Sequence, residues 1–365
     1  MANWKTYKLG EIAKFQTGKL NSNAAVENGK YPFFTCSPTT LAIDDYAFDK
    51  EAILLAGNNA EGNFSIKYFK GKFNAYQRTY IIEAKNDICD IKFLFYALKI
   101  CLHQFKQMSQ GTSTKFLTAV ILNNFEISLP GLEEQKRIAG ILGAIDDKIE
   151  NNRRINANLE LQAQALFEEW CESCSETITL KELADNILDY TPNTNTDVVL
   201  LNSSDVTQGI FAKLPLVSNT NLKGQFKKRF KKGDILYSEI RPRNKHYAYC
   251  YFDSDKYIAS TRLIVLRGKK EKIVSNTILY QYLISQKVFE EFTLKTETRS
   301  GTFPQGNYQD LSSIVVPYSD NQREIADVLD CIYKKIWHNN TEVENLVTLR
   351  DALLPKLMNG EIKTE

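Results

Sequence analysis

Histidine is nearly absent: 365 residues hold three, His103, His246 and His338, none near another in sequence. That leaves no HExxH metal pair, and a solitary His on an apolar stretch, such as His103, reads as packed or surface rather than catalytic. The chain also has no phosphate-binding loop ending in Gly-Lys-Ser/Thr, no GxGxxG after a strand and no GxSxG elbow. A methyltransferase would need a Gly-rich cofactor turn and a catalytic loop, and neither is found. No run of eighteen apolar residues occurs, and the start MANWKTYKLGE lacks a basic region leading into an apolar one, so no membrane span or signal peptide is expected and the expected location is the cytoplasm. Seven cysteines, an odd number scattered from Cys36 to Cys331, do not make a disulfide framework. Cys171 and Cys174 form a CxxC, but no second Cys or His pair follows at zinc spacing, so no metal site is expected. The chain is expected to be non-catalytic.

What is present is a repeat. Over residues 130–170, apolar residues recur at alternating spacings of four and three: Ile138, Leu142, Ile145 and Ile149, then Asn152 and Asn156, then Leu159, Ala163, Leu166 and Trp170. This is a coiled-coil seam. Moving forward 187 residues gives Ile325, Leu329, Ile332, Ile336, Asn339, Val343, Leu346, Arg350, Leu353 and Leu357, a second copy in which the central asparagine returns. Pro130, Gln135, Ala139 and Lys148 recur as Pro317, Gln322, Ala326 and Lys335. A helix of about forty residues runs roughly 60 Å. With polar residues in the stripe, such helices should pack on each other. A pseudo-dyad would run them antiparallel, put the lobes at opposite ends and bring Asn152 and Asn339 together to set register. Asp146 and Asp147 read as a solvated helix face.

The duplication extends to the segments between. A shift of 171 aligns Leu9, Glu11 and Ala13 with Leu180, Glu182 and Ala184, and a shift of 182 aligns Thr79 with Thr261. Each segment has strand-like stretches, KEAILLAGNNAEGNFSIKYF and KFNAYQRTYIIEA in the first, KKGDILYSEIRPRNKHYAYCYF and KYIASTRLIVLRG in the second. Each then has a helical stretch, IKFLFYALKICLHQF or NTILYQYLISQKVFEEF, a polar Gly-Thr turn and a final strand. The expected fold is α+β, with two β-rich lobes separated by two long antiparallel coiled-coil helices in a pseudo-two-fold duplication. The segments run 1–130, 131–172, 173–317 and 318–365. The chain's net charge of +2 divides into +4, −3, +4 and −3 over residues 1–130, 131–170, 171–317 and 318–365, which suits polyanion binding by the lobes.

Two β-rich lobes, each followed by a helix that starts P-x(4)-Q-x-x-I-A-x-x-L, with the ending LRDALLPKLMNGEI over residues 349–362, resemble the specificity subunit of type I restriction-modification systems. The matching residues are Pro130, Gln135, Ile138, Ala139 and Leu142, then Pro317, Gln322, Ile325, Ala326 and Leu329. The resemblance implies two target recognition domains, each reading half of a bipartite DNA sequence, with helices that set the unread spacer. It also implies two methyltransferase (M) subunits bound to this scaffold and restriction (R) subunits that join them, while S-adenosylmethionine, ATP and magnesium belong to those partners and no cofactor to this chain. The helices' length is about one and a half duplex turns at roughly 34 to 36 Å per turn, and unlike lobes imply unlike half-sites. A coiled-coil scaffold whose lobes bind proteins is the alternative.

For DNA contact, the second lobe offers nine basic residues over 223–245, including Lys227, Lys228, Arg229, Arg241, Arg243 and Lys245, against Asp234 and Glu239. Arg241 and Arg243, flanking Pro242, are the candidates for bidentate reading of guanine. The other reading of this cluster is a solvated strand edge. In the first lobe, Asn58, Asn59 and Asn63 on a Gly-rich turn, with Gln77 and Arg78, could read adenine or simply make turns. Thr112, Ser113 and Lys115, and Arg299, Ser300 and Thr302, lie in recurring turns that could hold phosphates.

Overall fold

Short capped segments start each lobe and long amphipathic segments end it, and a computed structural model describes both over residues 4–85, 87–298 and 304–364. The first lobe opens with the strand Lys5–Lys8, antiparallel to Glu126–Leu129, then a single helical turn Leu9–Ile12 whose Leu9 and Ile12 are fully buried. The second opens with Glu176–Thr179 against Val315–Tyr318, then the turn Leu180–Leu183. Thr179 and Glu182 cap that turn reciprocally, with Thr179 N–H donating to the Glu182 carboxylate at 3.0 Å and Glu182 N–H to Thr179 Oγ1 at 3.4 Å. Lys8 has no side-chain acceptor, so only its N–H to the Glu11 carboxylate, at 2.8 Å, remains of the device in the first lobe.

The same four-stranded sheet follows in each lobe. In the first, Ala13–Thr17, Thr79–Ala84, Phe48–Ala56 and Ile66–Ala75 lie side by side in that order, and the second has Ala184–Asn186, Leu263–Gly268, Ile235–Ser238 and Tyr247–Tyr249. Around this shared sheet the lobes diverge. The first extends it with Tyr31–Phe34 and Leu41–Ile43, while the second builds a separate sheet from Val217–Ser218, Asp197–Leu201, Tyr257–Ser260 and Phe226–Lys228.

Each helical stretch of the lobes is two helices rather than one. Ile91–Ile100 gives way at Cys101 to Leu102–Met108, and Asn276–Ile284 stops at Ser285 before Gln286–Glu297. Ser285 is extended and its hydroxyl accepts from Val288 N–H, so the residue ends one helix by capping the next.

The two long helices are Leu132–Ser173, 42 residues or about 63 Å, and Arg323–Met358, 36 residues or about 54 Å. Among the described residues none of the helices is long and apolar enough to cross a membrane. The recurring glutamine fastens the start of each. Gln135, 1% exposed, accepts from Asp90 N–H at 2.9 Å and donates to the carbonyls of Ile88 and Pro130 at 3.1 and 2.9 Å. Gln322, 2% exposed, accepts from Val274 N–H at 3.2 Å and donates to Lys272 and Ser319 carbonyls at 2.9 and 3.0 Å. A primary amide can accept and donate together, which is the chemistry this position uses in both copies.

The chain forms two compact units, and both long helices contribute to each: residues 1–151 with 342–365, and residues 152–341. In the first unit Leu9, Ile12, Phe93 and Phe105 pack with Ile138 and Leu142 of the first long helix and Leu354 and Leu357 of the second. In the other, Phe167, Tyr282 and Phe292 pack with Ile325, Leu329 and Ile336. Asp146 meets Arg350 at 2.9 Å and Lys148 meets Glu342 at 3.5 Å in the first unit. Asn156 meets Asn339 and Trp170 meets the Asn321 carbonyl in the second, at 2.8 and 3.3 Å.

Asn339 donates to Asn156, one turn beyond Asn152, and all three asparagines are buried. Two seam expectations change. Leu166 is 39% exposed, and Phe167 takes its place at 2%, edge-on to Tyr282 at 4.8 Å. A 3.6-residue helix drifts from a 3.5-residue repeat, and the bulky lobe surface selects the residue that faces it. Asp146 is not a solvated face: it accepts from Tyr96 Oη at 2.7 Å as well as from Arg350.

Candidate nucleic-acid interface

The turn after the central strand of each lobe backs onto the segment after the helix pair. In the first lobe Asn58–Asn59 pairs antiparallel with Lys115–Phe116. In the second, Ile240 bridges Gln305 antiparallel, flanked by Arg241 N–H to the Pro304 carbonyl at 3.0 Å and Gly306 N–H to the Glu239 carbonyl at 2.8 Å. The same topology thus assembles a loop pair from segments far apart in sequence. It is also where most of the residues singled out above gather.

In the first lobe the amides are partly used up. Asn59 Oδ1 accepts from the N–H groups of Glu61 and Asn63, both at 2.9 Å, so its oxygen makes the turn. Asn63 donates to Glu61 at 3.0 Å and accepts from Lys106 Nζ at 2.8 Å. Gly62, at φ +75°, lets the stems of Lys106 and Lys115 cross the turn, since a Cβ there would lie 3.0 and 3.4 Å from their Cγ atoms. Asn58 differs: its Oδ1 is buried and has no hydrogen-bond partner. Arg78 is exposed, with its guanidinium 5.2 Å from the Phe116 ring centre, and Gln77 is exposed and donates to Asn21 Oδ1 at 2.9 Å. Thr112 and Ser113 are exposed and Lys115 half-buried across from Asn59.

In the second lobe the loop is strained. Arg241 and Lys245, at φ +47° and +52°, are left-handed residues on either side of a single 3-10 turn, Pro242–Asn244. Non-glycine residues there cost about 1–2 kcal/mol each, so the surroundings must impose the shape. They do so through the Pro304 carbonyl, buried Pro242, and Gln208 N–H donating to the Lys245 carbonyl at 2.9 Å. His246 joins in, since its Nδ1 lies 2.8 Å from the Val206 carbonyl and 3.0 Å from Thr207 Oγ1, which makes Nδ1 the protonated nitrogen.

The basic cluster splits. Arg243 is held by Glu297 through Nε–Oε1 at 2.5 Å and Nη2–Oε2 at 2.9 Å, a fork-to-fork pair that raises the Arg243 pKa and lowers that of Glu297. The guanine-reading edge of Arg243 is therefore occupied. Lys245 Nζ lies 5.1 Å from the Phe289 ring centre. Lys228 departs furthest from expectation: it is 4% exposed and donates to the Leu263 carbonyl at 2.6 Å. Burial lowers its pKa, and it cannot reach a phosphate without leaving the core. Glu239, whose charge acts on Lys228, is half-buried, and burial raises its pKa. Arg229 is half-buried and donates to the Asp255 carbonyl at 3.0 Å, while Lys227 is exposed. Arg299, Ser300 and Thr302 lie outside the described residues.

Sequence reasoning missed Glu297 and His246, which hold the Arg241–Lys245 loop from a distant helix and hairpin. No local pattern marks either one, because their partners are 54 and 40 residues away. No group of three or more His, Cys, Asp or Glu side chains suited to a metal ion occurs among the described residues.

The family model for the type I restriction modification DNA specificity domain matches the chain twice, over residues 1–161 and 173–348. The EcoDI type I restriction enzyme specificity subunit of Escherichia coli is 28% identical over 414 residues, covering 100% of this chain and 89% of the relative. The HindI specificity subunit of Haemophilus influenzae is 37% identical over 163 residues, 44% of this chain and 35% of the relative. The fold resembles the crystal structure of the type I restriction-modification S subunit from M. genitalium, with a TM-score of 0.67 at 19% identity, covering 98% of this chain and 96% of the other.

Proposed function

The chain belongs to the type I restriction-modification DNA specificity family, with two copies of its domain, and we propose that each copy reads one half of a bipartite, asymmetric DNA target. It is a DNA specificity subunit; the finer division of labour among its residues is our reading. One observation carries that reading: the same loop pair recurs in both lobes with different chemistry, Asn58 and Arg78 beside Lys115 in one, Arg241 on a strained turn in the other. A shared frame with unlike side chains is what two unlike half-sites require.

Arg241 would present two guanidinium donors to O6 and N7 of a guanine, and Asn58, whose Oδ1 is buried, its amide N–H to N7 of an adenine. Arg78, Lys115, Thr112, Ser113, Lys227 and Lys245 would hold backbone phosphates and set register. The two long helices would form an antiparallel coiled coil that fixes the unread spacer, with the buried Asn156–Asn339 bond setting its alignment.

This chain would supply recognition and scaffolding. Two methyltransferase subunits would bind it and restriction subunits would join them, bringing S-adenosylmethionine, ATP and magnesium. The assembly would work in the cytoplasm, where the DNA is. Co-expression with the cognate methyltransferase, followed by mapping of methylated positions, tests the reading. One recurring bipartite motif is the expected result, and methylation that does not depend on this chain would overturn it.

A further inference from the structure

The second unit contains a cavity of about 590 Å³ that DNA reading does not use. Its floor is aromatic, Tyr280, Tyr333 and Trp337, and its charged rim is Glu160, Arg153 and Asp205. Trp337 stacks 4.4 Å from Tyr249 and 5.7 Å from Tyr251, so the floor is stiff. The Asp205 carboxylate is engaged by Asn202 N–H at 2.7 Å. Glu160 makes no hydrogen bond or ion pair with any described residue, and no ion pair joins it to Arg153. Glu160 is exposed at the mouth, yet the surrounding protein raises its pKa by desolvation; burial first, with the Glu160 charge as a lesser cause, raises the pKa values of Tyr247, Tyr280 and Tyr333.

The first unit shows how such an acid is normally answered. Asp146 takes the guanidinium of Arg350 and the hydroxyl of Tyr96. The repeat puts Tyr333 and Ala163 at the positions of Asp146 and Arg350, so that pair has no counterpart in the second unit, and no described residue there supplies a guanidinium to Glu160.

The geometry points to this cavity as the seat of an arginine or lysine side chain from a protein partner, its head on the Glu160 carboxylate and its stem against Tyr280, Tyr333 and Trp337. Aromatic faces attract cations, guanidinium above all, and a carboxylate at the mouth with no ion-pair partner among the described residues completes the site. The carboxylate repels phosphate, which argues against nucleic acid. Exposed Ile210, also lining the cavity, adds an apolar lip for the partner's surface. The proposal rests on the reading of the chain as a specificity subunit only in taking the methyltransferase subunit as its partner.

The test titrates the full chain with its cognate methyltransferase subunit, as wild type, Glu160→Gln and Glu160→Lys. Glu160→Gln should weaken association by about tenfold and Glu160→Lys by more, with the Tm of the free chain unchanged or raised. In parallel, N-acetyl-argininamide at millimolar concentration should change tryptophan fluorescence of the wild type, but not of Glu160→Gln or Trp337→Phe, and a glutamate amide should do nothing. Wild-type association in both Glu160 variants overturns the proposal, as does a Glu160→Lys variant that gains DNA affinity and keeps its methyltransferase affinity. If the wild-type chain binds no methyltransferase, the partner reading falls and the arginine amide decides: a response lost in Glu160→Gln supports a basic-side-chain site for another protein, and no response overturns it.

Discussion

The two loop pairs start from one frame and solve opposite problems. In the first lobe Asn58–Asn59 continues as a strand, and its turn is relaxed by Gly62 and by the Asn59 oxygen. In the second, one backbone bridge is followed by two left-handed residues, with a buried proline between them. The relaxed loop offers amides and an arginine laid on a ring, and the strained loop projects arginines. The difference teaches that the sheet sets where the loop pair sits, whereas the loop's backbone shape sets which side chains it presents. A strained loop needs outside support, which is why the second lobe adds the Val206–Thr207 hairpin strand, His246 and Glu297.

The sharpest way to break the comparison is to attack what the copies share. Gln135→Ala and Gln322→Ala should each lower stability by about 3 kcal/mol, because each leaves a buried N–H and two carbonyls without their partner. The loss, followed by urea denaturation, should be of similar size in the two variants. If only one matters, the equivalence of the two helix starts is wrong.

Arg241→Ala should relax one half-site and leave the other intact, at a cost of about 1–3 kcal/mol in specific binding, with assembly unchanged. Asn58→Ala should do the same for the opposite half-site. Methylation mapping reads both, and relaxation of the same half-site by both would end the two-loop assignment.

A smaller effect separates loop support from DNA contact. Glu297→Gln should release the Arg243 fork, loosen the loop and weaken DNA binding by up to about tenfold, with little change in Tm. Tighter DNA binding would show that the ion pair masks Arg243 and does not shape the loop.

The smallest concerns the two opening turns. The hydrogen bonds from Thr179 to its carboxylate lower the Glu182 pKa. Its stabilisation is therefore present above the ordinary Glu value of 4.5 and lost as pH falls through the lower folded value. Glu182→Gln should flatten the acid limb of the Tm-against-pH curve slightly. Replacing Lys8 with Thr should install the missing half of the device in the first lobe and raise stability by roughly 0.5–1 kcal/mol.

The duplication and the two long helices were legible because a helix repeats its environment every three to four residues, so the seam appears as letters. The end of that seam was not: the choice of Phe167 over Leu166 depends on Tyr282, more than a hundred residues away. The recurrence of Gln135 and Gln322 was visible, but its purpose was hidden, since Asp90 lies 45 residues from Gln135 and the bonded groups are backbone. The site shows the same division. Arg241 and Asn58 could be named as candidates by chemistry and turn context, whereas the burial of Lys228 and the capture of Arg243 could not.

Composition and spacing by themselves determined that this chain is a repeated, two-lobed protein with two basic β-rich lobes and two acidic helical arms, because periodicity and charge are additive along the chain. Only the tertiary structure decided which cations stay at the surface. Lys228 and Arg241 look alike in sequence, but one amino group is folded onto the Leu263 carbonyl in the core and the other residue sits on an exposed left-handed turn. Availability depends on burial and on partners in space, and neither is written in the neighbouring residues.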